Sequence, residues 1–233
     1  MSALRSAFAI AICSLKFNLD EILMSYKDED QLAISLLLSY LGQYHELSES
    51  LASEYRQHCI VSKIKKSKYI HSPLDNNLFL YYIVTGTARG FIRDSGKDIT
   101  TWFAFKNQII GTIPNLNEGG LSSQEYLQAL EDCILVCIPH SFIDRIYNQY
   151  PESNIIGRKV LALQYFGASQ RSILARITRA SDRYKQLLLD NQILLSQIPL
   201  RYVASYLSIR LETLSRIRKR EIDTSLKLID KVA

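Results

Sequence analysis

The sequence predicts an α+β chain: an antiparallel β-barrel or sandwich, then a long helix, then a smaller helical domain. Three observations carry this. From Cys59 to Ile138, short runs rich in Ile, Val, Tyr, Phe and Thr recur between turn signals at roughly ten-residue spacing, the pattern of antiparallel strands. After Pro139 the apolar spacing becomes helical and stays so. The charge divides along the same line: residues 151–233 hold 15 Lys and Arg against 7 Asp and Glu, whereas residues 1–150 hold 13 against 16. A basic end on a mildly acidic body suits a polyanionic partner, although a solvated basic surface has the same composition.

The bulk numbers set the class. At 233 residues, with 47% apolar and 22% charged side chains, the chain has the composition of a globular protein with one large domain or two small ones. Disordered, collagen-like and disulfide-dense classes are excluded. Cys13, Cys59, Cys133 and Cys137 are too few and too scattered for a disulfide framework, which points to a reducing, cytoplasmic setting. No apolar run reaches about 18 residues, so a membrane-spanning helix and a membrane partner are not expected.

Taken in order, residues 1–30 read as an N-terminal tail. Arg5 followed by the apolar run 7–13 resembles a short signal peptide, but Ile12 is not the small residue that a lipoprotein site at Cys13 needs. Met24 is a second candidate start. Residues 31–150 read as the barrel domain with its flanking helices. Gln31–Gly42 has helical spacing, and Leu47 to about His58 forms a second helix with Ser48 as N-cap. Asp94–Asp98 is a hairpin turn between strands Ala88–Arg93 and Ile99–Phe105. His140–Tyr150 is a short helix stopped near Pro151.

Residues 151–178 read as a dimerisation helix. Ile156, Val160, Leu163, Gly167, Gln170, Leu174 and Ile177 fall at alternating spacings of four and three, the seam that pairs two helices. Gly167 and Gln170 weaken it. Ile155, Phe166 and Ile173 make a second apolar face, suited to the chain's own barrel; an ordinary buried helix face fits the same seam. Residues 179–233 form the last domain, beginning with a helix over Asp182–Asp190 capped by Ser181.

Residues 199–220 read as a helix-turn-helix. Pro199 suits a first helical turn. Val203, Ala204 and Leu207 give the first helix an apolar face, with Ala204 small where helices cross. Ser208-Ile209 makes the turn, and Leu214 and Ile217 anchor the second helix. Glu212, Ser215, Arg216, Arg218 and Lys219 then stand on or near its outer side, with Thr213 beside them. A major-groove helix needs this division. Arg can hold guanine by two bonds, Glu can accept from the cytosine amino group, and Ser can reach a base or a phosphate. Arg216, Arg218, Lys219 and Arg220 would neutralise phosphates. A plain helical hairpin with a basic surface fits the same residues.

This layout over residues 31–220 resembles the Crp/Fnr superfamily. Glu212-Thr213-Leu214-Ser215-Arg216 is similar to the Glu-x-x-Ser-Arg recognition helix of the fumarate–nitrate regulator branch. Tyr82-Ile83-Val84-Thr85-Gly86-Thr87-Ala88 resembles the family's strand–turn–strand, with glycine at the sharp turn. The resemblance implies a cyclic-nucleotide-binding-like jelly-roll barrel and a winged helix-turn-helix. It implies a homodimer on a palindromic double-stranded DNA operator with TTGAT-like arms, and RNA polymerase as a further partner. No wing hairpin is evident in Glu221–Ala233.

Members that bind cyclic nucleotides carry Gly-Glu and then Arg-Ser/Thr-Ala in one barrel loop. Here the candidate pocket reads Gly111-Thr112 and then Ser123-Gln124-Glu125. A buried phosphate needs a cation; this loop offers none and adds Glu125. The expectation is a regulator that does not respond to cyclic AMP. No cofactor is expected: the cysteine ligands of an iron–sulfur cluster are missing, and His45, His58, His71 and His140 lack metal-ligand spacing. Cys133 and Cys137 lie on one face of a strand about 13 Å apart, which suits packing. There is no P-loop, G-x-S-x-G, H-E-x-x-H or dinucleotide fingerprint, so catalysis is not expected. Two alternatives stay open: a small-molecule effector held in the barrel by other residues, and a protein-interaction module whose basic end docks an acidic partner.

Overall fold

The computed structural model describes residues 28–75, 78–111, 124–195 and 198–229. Helix α1 covers 28–42 in the described part. Ala33, Ile34, Leu37 and Leu41 form its buried stripe. Helix α2 (Glu49–His58) begins where expected: the Ser48 hydroxyl accepts from the Leu51 amide at 3.3 Å.

Eight strands follow in the described residues: β1 (Ile60–Ile64), β2 (Tyr69–His71), β3 (Phe79–Thr85), β4 (Ala88–Asp94), β5 (Lys97–Ala104), β6 (Ile109–Ile110), β7 (Tyr126–Ala129) and β8 (Cys133–Pro139). They make two four-stranded sheets, ordered β1-β8-β3-β6 and β2-β7-β4-β5, with every pairing antiparallel. The sheets face each other as a jelly-roll sandwich rather than one closed ladder. Ile83, Ala88, Leu127, Ala129 and Leu135 meet between them with no exposure.

Strand β8 is apolar throughout because both its faces are covered. Cys133, Leu135 and Cys137 point between the sheets, whereas Val136 and Ile138 point outward beneath α1, α2 and the later helices. The two cysteines are therefore packing residues.

The turns explain the register. Ser95 and Gly96 both have positive φ, 49° and 76°, the two-residue turn that matches strand twist, and Asp94 pairs with Lys97 across it. Gly86 has φ 100°, and a Cβ there would lie 2.5 Å from Cys133 Sγ and 2.8 Å from the Asp132 carbonyl, so only glycine fits this turn.

Helices α3 (His140–Gln149) and α4 (Pro151–Arg176) follow, with Pro151 in the first turn of α4. Helix α5 (Ala180–Leu195) is longer than the expected Asp182–Asp190. It also starts earlier: the Arg179 carbonyl receives the Asp182 and Arg183 amides, both at 3.1 Å. Ser181 is thus inside the first turn, bonded to Asp182, and is not the cap. Helices α6 (Leu200–Tyr206) and α7 (Leu211–Ile229) close the described chain. Pro199 is the N-cap of α6, one place before the position expected for it.

No wing strand occurs in the described residues. α7 runs on through Glu221 because nothing in 211–229 is Gly or Pro, and its periodicity meets no breaker. No described helix is long and apolar enough to cross a membrane.

Candidate nucleic-acid interface

The core beneath α6 and α7 fixes which side of α7 faces out. Leu214 has no exposure and lies among Tyr184, Leu187, Ile198, Val203, Ala204 and Leu207, with Ile217 and Ile209 packed against the same cluster. The turn is sharp. Ser208 takes φ 54°, the Ile209 amide reaches the Ala204 carbonyl at 3.0 Å, and the Arg210 carbonyl accepts the first amides of α7, Thr213 and Leu214.

With Leu214 inward, Glu212, Ser215, Arg216 and Lys219 lie at i, i+3, i+4 and i+7 on the opposite side, and all four are exposed. Thr213 and Arg218 flank this stripe and are half-buried, while Arg220 is exposed at its edge. Glu212 sits in the first turn, where the helix dipole favours a carboxylate. Ser215 donates to the Leu211 carbonyl at 3.0 Å, and Arg216 reaches Thr213 Oγ1 at 3.5 Å. The stripe therefore carries one acceptor group, one hydroxyl and two cations, aimed away from the protein.

The residues of the expected seam on α4 divide between buried and exposed positions. Ile156 is buried in the α1–α3 core with Val160 packed against it, and Leu174 is buried in the α5–α7 core with Ile177 at its edge. Gly167 is half-buried. Phe166 and Ile173, expected on the chain's own barrel, are instead 61% and 54% exposed. The physical reason is that α4 leans on two cores, one near each end, and the residues beneath those cores are taken inward. Leu163, Phe166, Gln170, Ile173 and Ile177 remain as the outward line at three–four spacing, all exposed except the half-buried Ile177.

Of the candidate pocket residues, Thr112 and Ser123 lie outside the described residues. Gly111 and Glu125 line a cavity of about 720 Å³ between the barrel and α4, and Gln124 is exposed. Glu125 accepts a hydrogen bond from Thr101.

Sequence reasoning passed over the groups that seat the helix pair on the barrel. Arg89 in β4 is 2% exposed. Its guanidinium donates to Gln128 Oε1 at 2.9 Å, Asp98 Oδ2 at 3.0 Å and Thr100 Oγ1 at 3.2 Å. It also lies between two rings, 4.2 Å from the centroid of Phe91 and 3.9 Å from that of Tyr202 in α6. Burial lowers its pKa, and Tyr202 and Asp98 oppose that shift; an arginine keeps its charge regardless.

Ser205 of α6 completes the contact. Its hydroxyl accepts from the Thr100 amide at 3.0 Å and donates to the Asp98 carbonyl at 3.1 Å. β5 is the edge strand of its sheet, so these are backbone groups that no strand pairs. Arg183 holds the other side: it donates to the Ile177 and Thr178 carbonyls at the end of α4, and to Leu207 at the end of α6. Arg89 follows the inward Ala88 and so faces the outer side of β4, toward α6; nothing in the sequence marked Ser205.

No protein-family sequence model matches the chain, and no curated protein sequence does either. Solved structures do. A crp/fnr-family transcriptional regulator from Eubacterium rectale is 16% identical, with 79% of this chain and 88% of that one covered at a TM-score of 0.63. FixK2 from Bradyrhizobium japonicum is 18% identical, covering 72% and 86%, TM-score 0.61. The c-di-GMP responsive global regulator CLP from Xanthomonas campestris is 14% identical, covering 75% and 91%, TM-score 0.60. The chain thus has the fold of the Crp/Fnr regulators.

Proposed function

We propose that the chain is a homodimeric, sequence-specific DNA-binding transcription regulator. The exposed stripe Glu212, Ser215, Arg216 and Lys219, set opposite the fully buried Leu214, carries this reading. It has the chemistry that base edges and phosphates take, on the helix that enters a major groove. Glu212, Ser215 and Arg216 read bases; Thr213, Arg218 and Lys219 position the phosphates. The fold likeness to regulators supports the class.

Two recognition helices are needed to read a palindrome about one helical turn apart. The second copy is supplied through the outward line Leu163, Phe166, Gln170, Ile173 and Ile177 of α4. This replaces Ile156, Val160 and Leu174 of the expected seam, which support the same helix from within the chain. On this reading the protein is unresponsive to cyclic AMP: Glu125 lines the barrel–α4 cavity, and among the described residues its lining has one cation, Arg171, which comes from α4 and not from the barrel loop.

The test pairs assembly with binding. Light scattering of the purified chain should give twice the monomer mass, and Phe166→Glu with Ile173→Glu should give the monomer with an unchanged circular dichroism spectrum. Titration of duplex DNA over a range of salt should show affinity falling steeply as salt rises, and Lys219→Ala should flatten that slope. A dimer that survives both glutamates overturns the seam. DNA binding that is absent at low salt overturns the function.

A further inference from the structure

The first half of α1 leaves part of its apolar surface uncovered. Ala33, Ile34, Leu37 and Leu41 turn inward, but Leu32 and Leu36 stand beside them at i and i+4 and are 61% and 37% exposed. Both border a groove of about 530 Å³ between α1, the edge strand β1 and the β7–β8 turn. Val61, Ile64, Val84 and Ile134 also line it. Neither the α4 line nor the Glu212–Lys219 stripe contributes a residue. An exposed apolar groove with a charged rim marks a docking site.

Three observations point to its occupant. The described chain begins at Asp28, and the next two residues, Glu29 and Asp30, already line the groove. The preceding residues are therefore tethered at its mouth, at an effective concentration in the millimolar range. Second, Phe17, Leu19, Ile22, Leu23 and Met24 lie four to eleven residues before Asp28. At about 3.3–3.6 Å per residue, a chain of that length reaches back along the groove. Third, the β1 rim is basic: Lys63, Lys65, Lys66 and Lys68 are all exposed. Lys63 pairs with Glu29 and Lys65 with Asp132, whereas Lys66 and Lys68 make no ion pair among the described residues. Asp20 and Glu21, inside the same apolar run, carry the charge that such a rim takes.

We propose that residues 17–24 of the same chain dock in this groove. Their apolar side chains cover Leu32 and Leu36, and Asp20 and Glu21 meet the lysines of β1. The docked segment also shields β1, an edge strand whose outer side no strand pairs and whose lysines are its other protection. The same segment of a second copy has the same chemistry, but a contact within one chain does not wait on a second molecule. The docked segment touches neither the DNA-reading stripe nor the outward line of α4, so the two readings fail separately.

Cysteine cross-linking in the full chain tests the contact. Cys13→Ser removes the thiol nearest the segment, and Cys59, Cys133 and Cys137 are buried. Ile22→Cys is then combined with Lys65→Cys on the rim or, as the control, with Lys97→Cys at the start of β5, the far end of the barrel. A disulfide closes only where the two Cα atoms come within about 7 Å. Under mild oxidation with diamide the rim pair should close within one chain about tenfold faster than the control pair, read by peptide mapping of the monomer band. Leu32→Glu with Leu36→Glu should slow that closure about fivefold or more by removing the apolar contact. Leu19→Asp with Leu23→Asp should do the same, and it decides the matter if the glutamate variant does not fold. Equal rates for the two pairs, closure that neither double substitution slows, or cross-links that join two chains overturn the docking.

Discussion

Replacing Arg89 by alanine tests how the helix pair is held on the barrel. The side chain is 3% exposed, makes three hydrogen bonds and stacks between Phe91 and Tyr202. Removing one partner of a buried ion pair costs about 3–5 kcal/mol when the other charge is stranded. Asp98 is not stranded, because its side chain is 39% exposed and Arg93 still reaches it at 3.2 Å. That cost therefore does not apply in full, and the loss comes from unpairing Thr100 and Gln128 and emptying the two ring faces: about 3 kcal/mol. Arg89→Lys restores the charge but neither the planar fork nor the stacking, and should recover less than half of this loss. Urea unfolding followed by Trp102 emission measures both variants. A double-mutant cycle with Tyr202→Ala should give a coupling of about 1–2 kcal/mol, because the guanidinium lies on that ring in a desolvated site. If Arg89→Ala unfolds within about 0.5 kcal/mol of wild type, the effect is no larger than an ordinary surface change and the reasoning is refuted.

Three further outcomes follow from close packing. Gly90→Ala should destabilise the barrel by about 1–3 kcal/mol, since the new Cβ would lie 2.2 Å from Trp102 Cε2, and the displaced indole should shift its emission. Arg183→Gln should cost about 1–2 kcal/mol by freeing carbonyls at the ends of α4 and α6, seen as a lower urea midpoint with an unchanged slope. Burial pushes the Cys59 thiol up to about 12 and those of Cys133 and Cys137 to about 11. In a Cys13→Ser background none of these three should react with a disulfide reagent at pH 8 until denaturant is added; reaction in the folded protein would contradict their packing role.

How far the sequence could be read depended on whether a residue's role is local. The Ser48 cap, the Asp94–Asp98 turn and the Gly86 bend depend on a few neighbouring residues, and each stands where expected. The Glu212–Lys219 stripe was legible because Leu214 and Ile217 leave α7 only one way to face. On α4 the sequence left the inward face open: a long helix carries several apolar lines at three–four spacing, and which of them turns inward is decided by cores made of other segments. Ile156 and Leu174 went inward; Phe166 and Ile173 did not. Ser181 misled because serine is a good cap wherever it occurs, yet the first bonds of α5 go to Arg179. Ser205 was illegible because it meets residues more than a hundred positions earlier, and Arg89 because the α6 ring that covers it, Tyr202, is as distant.

Selection of bound sequences from a random pool of duplex DNA tests the central claim most directly, using the full chain at moderate salt with no added ligand. Base reading by Glu212, Ser215 and Arg216 predicts an enriched palindrome with two TTGAT-like arms about one helical turn apart. Repeating the selection with Arg216→Ala should relax one base position in each arm, at about 1–3 kcal/mol per site. A pool that leaves the selection unenriched, or an Arg216→Ala variant that enriches the same palindrome undiminished, would contradict the assignment of this stripe as the base-reading surface.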